Sequence, residues 1–296
     1  MYPDQKVTSK LPTRVYKYLT PDRVDVLEKC LIRFTQFGAF NDPLEGRPDF
    51  TSITSDVQAL QHLRDILPGE IRSSYDSLSI EIKSRISFEK YSALANLRAK
   101  AVAPHFPAIV NSLTGSVRDL IARKLDQAIG VLSLSDIPDN MLMWSHYAAS
   151  HHGFALGFDP SHRWFNDKKS EDDELRHLRK VVYTKSRPQA QLIDFDGTRL
   201  FLLKKMDWEY EREWRILRPL VDADVVLEAP DYNIHLFRFP PEAVAEVVIG
   251  TRATAELKDV LTGIVRTDQE LSHVRIRRAR LDTLTLEISV EDFCVA

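Results

Sequence analysis

Trp208-Glu209-Tyr210-Glu211-Arg212-Glu213-Trp214-Arg215-Ile216-Leu217 sets three glutamates, two tryptophans and two arginines within ten residues. The two-residue period of a strand would put Glu209, Glu211, Glu213 and Arg215 on one face. Trp208, Tyr210, Arg212, Trp214 and Ile216 would then share the other. Aromatic and β-branched residues favour a pleated, half-buried surface, so this reading packs one face and turns a row of carboxylates outward or into a cleft. Carboxylates ~6–7 Å apart on one face repel, and in a cleft one of them is a candidate for a raised pKa. A solvated acidic face satisfies the same pattern. So does a helix, with Tyr210 and Trp214 four apart and Glu211 paired to Arg215.

The 296 residues suffice for a full core, as one large domain or two modest ones, and 44% hydrophobic with 28% charged content excludes a mainly disordered chain. A net charge of −3 gives no global field for nucleic acid, so any such contact must use a local patch. Cys30 and Cys294 are too few for a disulfide framework or a thiolate zinc site. No signal peptide and no apolar run long enough for a membrane span is apparent, which leads to the expectation of a cytoplasmic protein without a membrane partner.

Outward from the glutamate-rich stretch, the chain reads as α+β, with mixed or antiparallel bent sheets and a helical insertion over about 52–128 in a single domain. Residues 1–13 read as a loose arm. Arg14–Leu19 and Leu31–Phe37 read as strands around a helix that Thr20 caps and Pro21 starts. In Phe40-Asn41-Asp42-Pro43-Leu44-Glu45, Pro43 disfavours helix at Asp42, and Asn41 and Asp42 can bond their own backbone, so a stiff loop is expected. Four helical stretches follow at Ser55–Leu67, Tyr75–Ser87, Phe88–Val102 and Phe106–Gln127, punctuated by Pro68-Gly69, Pro104 and Pro107. Ala128–Ser135 reads as a buried strand, Met141–Ala149 as a short helix begun near Asn140, and Phe154–Asp159 as another strand. Phe195–Leu203 reads as an apolar segment. Val244–Ile249 ends at Gly250, and Val274–Leu281 with Leu284–Val290 form a hairpin around Asp282-Thr283.

His146, His151, His152 and Asp159 invite a metal reading, but His146 and His151 are five apart, off the spacing that puts two ligands on one helix face. No G-x-S-x-G elbow, Walker loop or G-x-G-x-x-G is present. Arg275, Arg277, Arg278 and Arg280 form a basic strand that reads as a solvated edge.

Tyr16-Lys17-Tyr18, the Phe40–Glu45 loop, Met143-Trp144-Ser145-His146-Tyr147-Ala148 with His151 and Gly153, and Trp208-x-Tyr210-Glu211-x-Glu213-Trp214-Arg215 resemble, in this order, a bacterial family catalogued as domain of unknown function 2971. The family supplies an order of motifs and no reaction. The chain also resembles ADP-ribosyltransferases, including the DNA-modifying toxin type, in three places: Lys17 on the first strand, Ser133-Leu134-Ser135 on a middle strand, and Glu211-Arg212-Glu213 on a late one. That resemblance implies a split, strongly bent sheet holding NAD in its cleft. Glu213 would hold the ribose 2′-hydroxyl and stabilise the oxocarbenium-like transition state, while Glu211 would orient or deprotonate the acceptor. Lys17 would contact the diphosphate or the adenosine ribose, Ser133 and Ser135 would brace Glu213, and Tyr147 or Trp144 would stack on nicotinamide. Tyr18, Asn41 and His146 complete the candidate NAD contacts. The implied partners are NAD, a nucleic-acid or protein acceptor, and an antitoxin or immunity protein. Two other classes stay open: a non-catalytic sensor or interaction module, and a hydrolase or nuclease using His146 with Asp42 or Glu45.

Overall fold

The computed structural model describes residues 10–47, 50–186, 190–194 and 200–293. Most of the expected N-terminal arm, Cys294 and the first residues of the Phe195–Leu203 segment lie outside them. The chain opens with β1 (Val15–Leu19), a 3-10 turn at Pro21–Arg23, α1 (Asp25–Lys29) and β2 (Leu31–Phe34). β3 (Phe50–Ser52) precedes α2 (Asp56–Asp76), α3 (Ile80–Arg85), α4 (Phe88–Val102), α5 (Phe106–Ser112) and α6 (Thr114–Ala128). Next come β4 (Ile129–Ser135), α7 (Met141–Tyr147) and β5 (Phe154–Phe158). β6 (Arg179–Lys180), β7 (Val182–Thr184), β8 (Ala190–Gln191), β9 (Leu203–Lys205) and β10 (Glu213–Pro219) follow. The chain then runs through β11 (Val225–Leu227), β12 (Ile234–Arg238), β13 (Val244–Ile249), a helix at Ala255–Thr267, β14 (Arg275–Leu281) and β15 (Ile288–Asp292).

The fold is α+β with mixed sheets. Eight strands run in the order β15-β14-β13-β5-β1-β4-β10-β6. Their pairings are antiparallel except for β13 with β14. A second sheet runs β11-β12-β2. The residues group into two compact units. The first, Met1–Arg47 with Lys124–Ser186 and Gly197–Ala296, carries these sheets. The second, Pro48–Arg123 with Arg187–Asp196, carries α2 to α5 and the short parallel pair β3–β8.

Strand alternation decides what each face of β1 meets. Val15 and Leu19 join the main core with Leu132, Leu156, Phe158 and Trp214. Tyr16 and Tyr18 face the other way into a smaller cluster with Met143 and Trp144 of α7. Lys17 shares the face of Val15 and Leu19, so a cation sits in the middle of an otherwise apolar strand side.

β4 is shared between two neighbours, and this creates the site. Its end pairs with β1 at Tyr16–Ser135, whereas nearer its start Thr35, just past β2, exchanges both backbone hydrogen bonds with Val131 at 2.9 Å. Between these contacts β1 and β2 diverge. The Ser133 carbonyl, left without a strand partner on that side, accepts a hydrogen bond from Lys17 Nζ at 3.1 Å.

Several expectations are corrected. Pro68-Gly69 does not end α2, which runs on to Asp76; a proline forfeits one helical bond, and burial of Ile71 beyond it keeps the turns formed. Thr20 makes no side-chain cap, and the chain enters through the 3-10 turn. Leu284 and Leu286 are exposed and lie in a wide turn, where Asp282 Oδ1 accepts from the amides of Leu284 at 2.8 Å and Thr285 at 3.1 Å. The returning strand therefore starts at Ile288. The basic strand β14 is no edge: β15 covers it, and Arg278 pairs with Glu291 at 2.7 Å.

Candidate functional site

Trp208–Leu217 is not one strand. Met206–Glu211 form a 3-10 helix, Arg212 takes the left-handed conformation (φ 46°, ψ 51°), and only Glu213 onward is extended. The carboxylates of Glu211 and Glu213 thus come from two different elements. Both reach Lys204 of β9, whose Nζ lies 2.5 Å from Glu211 Oε2 and 2.8 Å from Glu213 Oε2. Arg212, at the joint, turns outward to Asp136 at 2.6 Å.

β10 alternates from there on. Trp214 and Ile216 enter the core, while Glu213 and Arg215 share the opposite face with Ser133 and Ser135 of the paired β4. Arg215 is fully buried and grips Glu213 bidentately, Nε to Oε1 at 2.7 Å and Nη2 to Oε2 at 2.9 Å. It also contacts Glu45 and donates to the Phe201 carbonyl at 2.6 Å. Glu45 lies 3.5 Å from Lys204. Three buried carboxylates, Glu45, Glu211 and Glu213, therefore meet two buried cations, Lys204 and Arg215. Lys17 is close enough to feel Glu213 and Glu211.

Burial works against the charge on Lys204, but Glu213 and Glu211 outweigh it and raise its pKa. Burial likewise pushes the Glu213 carboxyl up, against the pull of the Lys204 ammonium. Lys17 has weaker compensation: burial lowers it to about 8, with Glu213 and Glu211 only partly opposing. Tyr147 donates to Glu211 Oε1 at 2.5 Å, and burial together with that carboxylate holds its phenol protonated.

These groups line a cavity of about 310 Å³. Tyr16, Lys17 and Tyr18 form one wall, Arg33 and Thr35 a second, and Ser133 with Ser135 the floor between them. The loop Phe40, Asn41, Asp42 and Glu45 closes a side together with Tyr147, Trp208, Lys204, Glu211 and Glu213. The loop is braced as its sequence suggests: Asp42 Oδ1 accepts from the Leu44 amide at 2.9 Å, and Oδ2 accepts from Trp208 Nε1 at 3.2 Å.

Of the residues singled out from the sequence, Lys17, Tyr18, Asn41, Ser133, Ser135, Tyr147, Glu211 and Glu213 meet at this cavity. Two do not. Trp144 is wholly buried, its Nε1 donating to the Pro138 carbonyl at 2.8 Å and its ring edge-on to Tyr18, so it has no face to offer a ligand. His146 is exposed on α7 with its ring near Tyr210, outside the cavity lining. The serines divide their work: the Ser133 hydroxyl lies against the Glu213 carboxylate, while Ser135 donates to the Glu211 carbonyl at 2.7 Å. Sequence reasoning gave no role to Arg33, Lys204, Trp208 or Arg215. Arg33 and Thr35 did carry a signal, alternating with the apolar Ile32 and Phe34. Lys204 carried none. Among the described residues no group of three or more His, Cys, Asp or Glu is placed to hold a metal ion, and no helix is long and apolar enough to cross a membrane.

Fold and cavity together define an α+β protein with a buried carboxylate–cation cluster where two strands part on a third. Residues 143–216 match the model of the family described as Protein of unknown function (DUF2971). The match runs from α7 into β10, so it contains both Tyr147 and the Glu211-Arg212-Glu213 corner. No curated protein and no solved structure matches the chain.

Proposed function

We propose that this protein is an NAD-dependent ADP-ribosyltransferase acting on a nucleic-acid or protein acceptor, as a toxin or phage-defence effector. The observation that carries the reading is the meeting of Lys17, Ser133, Tyr147, Glu211 and Glu213 in one cavity where β1 and β2 diverge on β4. The donor set suits the ligand: aromatic rings of Tyr16, Tyr18, Phe40 and Trp208 for its flat groups, cations for its diphosphate, and carboxylates for its ribose hydroxyls.

Bound NAD would supply a ribosyl carbon joined to a cationic pyridine; as that bond breaks, nicotinamide keeps the electron pair and the acceptor's nucleophile bonds to the carbon. Glu213, fixed by Arg215 and Lys204, would stabilise the positive charge developing on the ribose, and a preorganised carboxylate does this best where water is excluded. Glu211, oriented by Tyr147, would take the proton released by the acceptor. Incubation with NAD and cell lysate should release nicotinamide, and Glu213→Gln should slow release by roughly 10²–10³. Wild-type protein that releases none under any acceptor condition overturns the reading.

A different observation favours a second reading. Both oxygens of Glu213 are already engaged by Arg215 and Lys204, as in a rigid structural floor. A non-catalytic sensor or binding module would use the cavity without turnover. Its signature is ligand binding with no chemistry, and a Glu213→Gln variant altered in Tm alone.

A further inference from the structure

Arg33 stands apart from the other cations of the cavity. Lys204 and Arg215 are neutralised by Glu45, Glu211 and Glu213. Arg33 lines the same cavity, yet its side chain makes no hydrogen bond or ion pair among the described residues, and its Nε is buried without a partner. The residue is half-buried, and its Nε is withdrawn from water with no carboxylate beside it, an arrangement that costs free energy until a counter-charge arrives. Its strand neighbours explain how it is held: Ile32 and Phe34 anchor β2 in the core, which leaves Arg33 and Thr35 to face the opening.

The field at Arg33 is positive, because Arg23 is the charge that acts on it. Lys17 lies between the two ends: Glu213 and Glu211 act on it most strongly, and Arg23 and Arg33 oppose them. Arg23 has an acidic partner in Asp25 at 3.2 Å, partly exposed. Lys17 Nζ spends one hydrogen on the Ser133 carbonyl and keeps two for a ligand. The opposite end of the cavity is acidic, with Glu211 and Glu213. The cavity is therefore polar end to end, and an anion is attracted to the β2 side and repelled from the β10 side.

We propose that Arg33 and Lys17 form a subsite for a phosphoryl group, a phosphate or diphosphate, of the bound ligand. The subsite deepens the transferase reading and rests on it only for the ligand's identity: it sets the diphosphate at β2 and so directs the ribosyl carbon towards Glu213. Arg33 presents a planar fork that matches two phosphate oxygens, and Lys17 supplies a point charge beside it. Arg33 acts in binding and orientation and takes no part in bond making.

Calorimetric titration with inorganic pyrophosphate, ADP-ribose and adenosine tests the subsite on the full chain. Wild-type protein should bind both phosphorylated probes and bind adenosine far more weakly. Arg33→Gln should weaken the phosphorylated probes by roughly 10- to 100-fold, and Arg33→Lys should recover part of the loss. Lys17→Met is the second variant, with the same direction expected should Arg33→Gln fail to fold. Tighter binding of ADP-ribose than of pyrophosphate assigns the subsite to a nucleotide, and equal binding assigns it to free phosphates. Wild-type indifference to both phosphorylated probes, or wild-type affinity in the variants, overturns it. The two proposals fail separately. Arg33-dependent binding without nicotinamide release sinks the transferase and keeps the subsite, whereas release with an unchanged KM in Arg33→Gln does the reverse.

Discussion

Lys17 concentrates the physics of the site in one side chain. Folding lowers its pKa from the ordinary 10.5 to about 8, because burial outweighs the attraction of Glu213 and Glu211. The unfolded chain then holds the proton more tightly, so stability rises with pH between these values, and the penalty is fully present below about 8. Lys17→Met should accordingly be more stable than wild type at neutral pH, with the gap closing towards pH 10.5. Thermal melts of both proteins across that range measure it, and a pH-independent gap would show that Lys17 carries no such penalty. A second residue-scale prediction concerns Lys204. Lys204→Met removes one of the two cations that pair directly with Glu45, Glu211 and Glu213, so it should cost about 3–5 kcal/mol in urea unfolding, the usual result of removing one partner from a buried ionic cluster. A loss below about 1 kcal/mol would mean that the carboxylates neutralise or find water when the ammonium goes.

At the scale of elements, the left-handed corner at Arg212 separates the 3-10 turn from β10 and brings two glutamates to one lysine. Left-handed backbone costs an ordinary residue roughly 1–2 kcal/mol, nothing for glycine, and most for a β-branched side chain. Arg212→Val should therefore be less stable than Arg212→Gly by at least about 1–2 kcal/mol, although both lose the ion pair with Asp136. Gly153 is constrained differently: a Cβ there would sit 2.0 Å from the Leu19 carbonyl oxygen, backbone that cannot swing aside. Gly153→Ala should prise β5 from β1 and cost about 1–3 kcal/mol, readable by chemical denaturation. Elements bounded by local chemistry were legible in the sequence. The apolar run Val244–Ile249 is β13 residue for residue, and Asn140 caps α7 by accepting from the Leu142 amide at 2.8 Å. Trp208–Arg212 misled because its alternation imitates a strand. Burial of Glu211 against Lys204 rewards a turn instead, and a residue four positions upstream of the stretch is invisible to its period.

For the whole molecule, the cavity's lining residues all belong to the unit that carries the large sheet. A bound ligand should therefore slow hydrogen exchange in β1, β2, β4 and β10 and leave α2 to α5 unchanged. With ADP-ribose at about a hundred times its Kd, the stabilisation should approach ~2.7 kcal/mol. Protection concentrated in the helices would move the ligand away from this cavity.

The sequence by itself determined the α+β class, the order of motifs and the residue types that gather at the cavity, because periodicity, caps and turn chemistry act over a few neighbouring residues. Only the tertiary structure decided that Lys204 and Arg215 pair with the glutamates, that the Arg33 side chain has no partner among the described residues, and that Trp144 is core. Charge compensation and burial depend on contacts between strands far apart in the chain, such as Lys17 with Ser133 and Glu45 with Arg215, and no local pattern encodes those distances.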